Sequence, residues 1–179
     1  MLFRSNTPVS YYVASRAKDV PALKLKTGRN DPDGVIIYSI YGQKKDKVVL
    51  VRQYRYTLGD YIYEFPAGLV EPGEDFHEGA VREMYEETGL KLEPLKVDPA
   101  FEKPYFTTVG MTDESCATVY GYASGEISKA AQEDSEEIEI VLADRTEVKR
   151  ILKEERVAIM CAYMLMHFLK DEDPFEFLN

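Results

Sequence analysis

The chain has 179 residues, 45% of them apolar and 30% charged, with a net charge of −10, which suffices for one well-buried core of ordinary globular composition. A sequence pI near 4.8 excludes a protein that works by neutralising nucleic-acid phosphates with a basic face, but not a phosphate-bearing small molecule held through a cation. The longest apolar run, "VAIMCAYMLMHFL" from Val157, is too short to span a bilayer, and "MLFRSNTPVSYY" lacks the apolar stretch of an export signal, so a cytoplasmic protein with Cys116 and Cys161 as reduced thiols is expected.

Residues 1–33 are weakly periodic, basic around "KLKTGRN" and closed by the turn signal "NDPDG". They are expected to form a small N-terminal β element, with the main domain over 34–179. "VIIYSIY" (35–41) and "VVLVRQY" (48–54) are rich in β-branched and aromatic residues around a charged connector, which predicts a strand pair. "YIYEFP" (61–66) reads as a further strand stopped by Pro66. From Pro72 to Gly89 a turn and then a helix are expected, Gly89 serving as C-cap. "CATVYGYA" (116–123) and "IEIVLA" (138–143) are later strands, separated by the polar loop "SGEISKAAQEDSEE". Asp144 or Thr146 is placed to cap a short helix through Leu152, and a buried C-terminal helix follows. Strands and helices mixed without regular βαβ alternation predict an α+β fold in layers rather than a doubly wound sheet.

Within the expected helix, "REMYEETG" (82–89) sets Glu83, Glu86 and Glu87 at i, i+3 and i+4, which is one helix face. Three carboxylates there repel one another unless a cation joins them. Clustered carboxylate oxygens suit Mg²⁺ or Mn²⁺, hard ions that keep waters for substrate phosphates. Gly68 and Gly73 permit close backbone approach to a ligand, and Arg82 is spaced to pair with a nearby carboxylate and hold its rotamer. A charge run on a helix is ordinarily a solvated face; Glu74, Arg82 and both glycines in register argue against that here.

The window "GLVEPGEDFHEGAVREMYEETGL" (68–90) fits Gly-x5-Glu-x7-Arg-Glu-U-x-Glu-Glu-x-Gly-U, with U a bulky apolar residue, at every position. This resembles the Nudix box. The resemblance implies an α/β/α sandwich around a mixed sheet and hydrolysis of a nucleoside diphosphate linked to another moiety. It implies Glu83 and Glu87 as principal metal ligands, Glu86 as a further ligand or water-positioning group, the Ala67 carbonyl as another ligand, and Mg²⁺ or Mn²⁺ as cofactor.

The flanking "RQYR…YIYEFPAGLVEPGE" resembles the ADP-ribose pyrophosphatase branch, as do Pro104 and "VGMTDE" (109–114), in which Val109 replaces the usual proline. GDP-mannose hydrolases are similar over the same stretches. The branch implies Arg55 and Met111 as substrate-binding residues. Arg52 and Arg55 fall on opposite faces of an extended strand, so one of them is expected in the site. The branch's general base maps to Glu136 in "QEDSEEIEI", with Asp134, Glu137 and Glu114 as alternatives. Catalytic roles thus fall to Glu136, Glu86 and Arg82. Tyr11, Tyr12, Tyr105 and Phe106 are candidates to stack on adenine in a chain without tryptophan. The branch further implies a homodimer completed by the N-terminal element, where Lys24, Lys26 or Arg29 would touch phosphates. His77 is left as a surface residue. The expected reaction is cleavage of the pyrophosphate of ADP-ribose or a related ADP-sugar to AMP and a sugar phosphate, with no nucleic-acid or membrane partner. GDP-mannose cleavage and a non-catalytic nucleotide-binding module are the alternatives.

Overall fold

β-branched and aromatic residues alternate along a mixed sheet whose two faces bury separate apolar clusters, giving the layered α+β architecture expected. The computed structural model describes residues 10–132 and 137–179. Residues 10–33 contribute a single β-bridge, Ala14 to Thr112, a 3₁₀ turn, Val20–Ala22, and a one-turn helix, α1, Lys24–Thr27. The strands are β1 (Gly34–Tyr41), β2 (Lys47–Arg55), β3 (Asp60–Glu64), β4 (Ala67–Leu69), β5 (Lys91–Pro94), β6 (Tyr105–Phe106), β7 (Ser115–Ser124) and β8 (Ile138–Ala143). The remaining helices are α2 (Phe76–Thr88), α3 (Pro99–Glu102), α4 (Arg145–Glu154) and α5 (Ile159–Lys170). None of the described helices is long and apolar enough to cross a membrane.

β1 organises the sheet, whose main order is β3-β2-β1-β7-β5. It runs parallel to β7 along its whole length, Gly34 opposite Cys116 through Tyr41 opposite Ala123. Its antiparallel partners change along the strand: Gly34–Ile36 pair with β4, and Ile40 and Tyr41 pair with β2. β2 in turn pairs with β3 and β8.

Alternation sends successive side chains to opposite faces. Val35 and Ile37 pack with Val49, Ala80, Met84 and Leu90 beneath α2. Tyr38 and Ile40 pack with Leu50, Val148, Ile151, Leu165 and Phe168 beneath α4 and α5. Tyr38 meets Phe65 and Phe175 edge to face at 5.5 and 5.6 Å, the arrangement that ring quadrupoles favour.

Three local expectations change. β4, β5 and β6 extend the sheet where no strand was expected, because segments of two to four residues carry too few residues to show a period. Asp144 rather than Thr146 caps α4, its carboxylate accepting from the amides of Thr146 and Glu147. The C-terminal helix is buried on one side only. Cys161, Leu165 and Phe168 face the core while Ile159, Tyr163 and Met166 are exposed, since a helix on the outside of a sheet has one face to cover. Truncating Phe168 to alanine should cost about 3–5 kcal/mol of unfolding free energy, read as a lowered urea midpoint at constant m-value.

Candidate functional site

α2 begins at Asp75, whose carboxylate accepts from the His77 amide, and ends on Gly89 at φ 74°, whose N–H donates to the Tyr85 carbonyl. The left-handed cap requires glycine. Ala80 and Met84 hold the helix to the sheet, which turns the face bearing Glu83, Glu86 and Glu87 toward β4. There Gly68 backs directly on Glu83: a Cβ at position 68 would lie 1.9 Å from the Glu83 carboxyl carbon. Glycine is the only residue that leaves room for that carboxylate. Glu87 is 4% exposed, and its Oε2 accepts from the Ala67 amide at 3.2 Å. The requirement that a buried carboxylate be compensated is thereby met in part by the backbone of β4.

Arg82 joins the acids. Its Nε and Nη2 donate to the two oxygens of Glu74 at 3.0 Å each. Its Nη1 donates to Glu83 at 2.8 Å and Glu86 at 2.9 Å, and Nη2 also reaches the Leu69 carbonyl at 3.0 Å. The fork geometry of guanidinium suits such a bidentate grip. Glu74 is held below the usual carboxylate range by its hydrogen bond from Arg82. Burial pushes Glu83 up, against the opposing pull of Arg82.

The glutamates open onto a cleft of about 620 Å³ lined by residues from both sides of β1: Gln53, Arg55 and Glu64 from β2 and β3, and Arg16, Thr107, Glu114 and Cys116 beside β7. Ala67, Gly68 and Leu69 form one wall, with Glu71, Arg82, Glu83, Glu86 and Glu87 against it. Six glutamates face three arginines in this lining. A diphosphate would meet a net negative wall, and a hard divalent cation resolves that conflict. The oxygen-only donors of Glu83, Glu86 and Glu87 suit such an ion. Among the described residues, however, no three acidic, His or Cys side chains already converge on one point as a metal site; Arg82 bridges Glu83 and Glu86 instead.

Of the residues singled out by sequence, Arg55, Ala67, Arg82, Glu83, Glu86, Glu87 and Glu114 share this cleft. Arg55 ends β2; its Nε donates to Glu64 Oε2 at 2.8 Å, and its Nη2 lies in ion-pair contact with the same oxygen at 2.7 Å. Arg52 turns away, pairing with Glu139 at 3.0 Å on β8 and lying over the Tyr61 ring. Met111 does not line the cleft; it is 69% exposed, its amide and carbonyl tied to Thr108 and Ala14. Tyr11, Tyr12, Tyr105 and Phe106 are exposed outside the lining. Lys24 binds Asp33 at 2.7 Å and Arg29 binds Asp31 at 2.6 Å, and neither they nor Lys26 enters the cleft. Glu136 and Asp134 lie outside the described residues. Glu137 accepts from the Tyr61 hydroxyl.

Sequence reasoning passed over Arg16 and Glu64. Glu64 opens the "EFPAG" run that marked the branch, a usable signal; Arg16 has no local signal. His77 is more than a surface residue. It stacks on Phe76 at 4.1 Å and bridges Asp75 and Glu102, each at 3.0 Å, tying the start of α2 to α3.

The NUDIX domain pattern matches residues 31–161. A Caenorhabditis elegans protein named as a Nudix hydrolase is 35% identical over 129 residues, covering 72% of this chain and 54% of its own length. The methanol dehydrogenase activator of Bacillus methanolicus is 32% identical over 130 residues, 70% of this chain and 65% of that protein. A Mus musculus ADP-sugar pyrophosphatase is 49% identical over 53 residues, 30% of this chain and 24% of that protein. The chain therefore spans less than two thirds of the length of these relatives, and it belongs to the Nudix domain family.

Two outcomes follow from this geometry. Gly68→Ala should abolish the function of the cleft by displacing Glu83, with little change in far-UV circular dichroism. His77 burial opposes its charged form, but Glu102 and Asp75 outweigh it and raise its pKa. Its tie therefore stabilises the fold fully below the ordinary value of about 6.5 and less as pH rises through the raised value. The stability difference between wild type and His77→Ala, from urea melts, should be larger near about pH 5.5 than at about pH 9.

Proposed function

We infer that the protein is a Mg²⁺-dependent hydrolase of the pyrophosphate bond of ADP-ribose or a related ADP-sugar, acting as a cytoplasmic homodimer. The observation that carries the reading is the acidic excess of the cleft, with Arg82 gathering the glutamates on one side and Arg55 standing opposite. The ADP-sugar pyrophosphatase of mouse supports the substrate class. So does an ADP-ribose pyrophosphatase of Bacillus subtilis, 40% identical over 68 residues, 38% of this chain and 35% of that protein. The homodimer and the cytoplasmic setting rest on the sequence resemblance.

Glu83, Glu86 and Glu87, with the Ala67 carbonyl, would hold the cation. When bound, it would neutralise the diphosphate and acidify a water, the two services metals perform in such hydrolyses. Arg82 keeps Glu83 and Glu86 from splaying apart. Glu64 orients Arg55, whose guanidinium would bind a phosphate or the purine face. Water adds its oxygen to one phosphorus, the bridging P–O bond breaks, and AMP and ribose 5-phosphate leave. Glu136 is the proposed acceptor of the water's proton. Positioning and charge stabilisation account for most of such catalysis.

The test is turnover of ADP-ribose, ADP-glucose, GDP-mannose, NADH and diadenosine polyphosphates under Mg²⁺. ADP-ribose is expected to be preferred with AMP as product, activity vanishing in EDTA and returning with Mg²⁺ or Mn²⁺. Glu87→Gln should lower kcat by about 100-fold or more while remaining folded. A fully active variant would remove Glu87 from the metal site, and preference for GDP-mannose would overturn the adenine reading.

A further inference from the structure

The N-terminal stretch supplies an arginine to the cleft from the side opposite Arg55. Its path is pinned along the loop before β7. The Ala14 amide donates to the Met111 carbonyl at 2.9 Å, and the Tyr11 hydroxyl donates to the Gly110 carbonyl at 2.5 Å. Two residues past Ala14, Arg16 Nε donates to Glu114 Oε1 at 2.9 Å. The other Glu114 oxygen accepts from the Thr107 hydroxyl at 3.1 Å. Both oxygens of Glu114 are thus engaged, and the carboxylate sits as a fixed bracket under the arginine.

The contrast with Arg55 is informative. Arg55 donates from Nε to Glu64 and keeps Nη2 in ion-pair contact with the same oxygen, whereas Arg16 is gripped through Nε, and among the described residues its Nη donors have no partner. A guanidinium anchored at Nε is pre-organised to offer its outer donors to an anion. β1 separates β2 from β7 in the sheet, so the two arginines approach the cleft from opposite sides, with the α2 glutamates between.

We propose that Arg16 is a substrate-binding residue whose Nη groups donate to the diphosphate of the nucleotide sugar, and that Glu114 is its positioning residue rather than the general base. The assignment rests on the nucleotide-sugar reading above. The diphosphate then lies between two arginines, each aimed by its own glutamate. The otherwise acidic cleft thereby gains direct donors on both flanks of the anion.

Kinetics of wild type, Arg16→Ala, Arg16→Lys and Glu114→Gln with ADP-ribose test it. Arg16→Ala should raise KM about tenfold while kcat moves less than about threefold. Arg16→Lys should recover part of the loss, because the charge returns without the fork. Glu114→Gln should raise KM by about two- to fivefold; a fall in kcat of about 100-fold at steady KM would make Glu114 the base and overturn its positioning role. Unchanged KM in Arg16→Ala overturns the binding role. If wild type turns over no nucleotide sugar, the functional reading fails separately. Calorimetric titration with Mg²⁺ and inorganic pyrophosphate then reads Arg16 directly. Weaker binding by about tenfold in Arg16→Ala sustains the assignment; equal affinity, or no binding by the wild type, overturns it.

Discussion

Arg82 is the hub on which the site depends. Five hydrogen bonds from its guanidinium reach Glu74, Glu83, Glu86 and the Leu69 carbonyl, joining the loop before α2, the helix itself and the end of β4. Without a cation between them, the carboxylates at 83 and 86 would repel and sample separate rotamers. The guanidinium replaces that repulsion with a shared donor and leaves the oxygens clustered. Two of the perturbed groups in this region follow from it: Arg82 is held further into its charged form, first by Glu74, and Glu74 is held ionised in return.

The hub needs a platform, and the sheet supplies one through a change of partners. β1 is bonded to β4 over its first three residues and to β2 only at its last two. The short β4 carries Gly68 under Glu83 and gives the Ala67 amide to Glu87. The cleft opens where these segments meet, so backbone hydrogen bonding and the placement of charge are one arrangement. Apolar packing on both faces keeps it in register, since a one-residue slip of β1 would exchange Val35 and Ile37 for Tyr38 and Ile40 between the two cores.

Charge in the cleft is layered by reach. The α2 glutamates stand nearest the β4 backbone, and arginines stand on both flanks, each against a carboxylate. Arg55–Glu64 and Arg16–Glu114 are partly exposed pairs, and such pairs add little to stability. Their physical consequence is orientation: a long flexible cation is held in one place at the edge of the cleft.

Much was legible in the sequence because it depends on short spacings. Glu83, Glu86 and Glu87 share a face by helical period alone, Gly89 ends the helix by its left-handed φ, and β1, β2, β7 and β8 show themselves through runs of β-branched and aromatic residues. The choice between Arg52 and Arg55 was reducible to strand alternation, which placed them on opposite faces but could not say which face held the cleft. Tertiary structure alone decided the rest. β4 and β5 exist because β1 and β7 offer them edges, not because three or four residues prefer to be extended. Met111 lies outside the cleft and Arg16 inside it, although Arg16 is separated from Glu114 by 98 positions. Local sequence thus determined which residues share an element's face, since that follows from backbone period. Which faces meet across the cleft was set by long-range strand pairing and packing, and no short window of the chain carries that information.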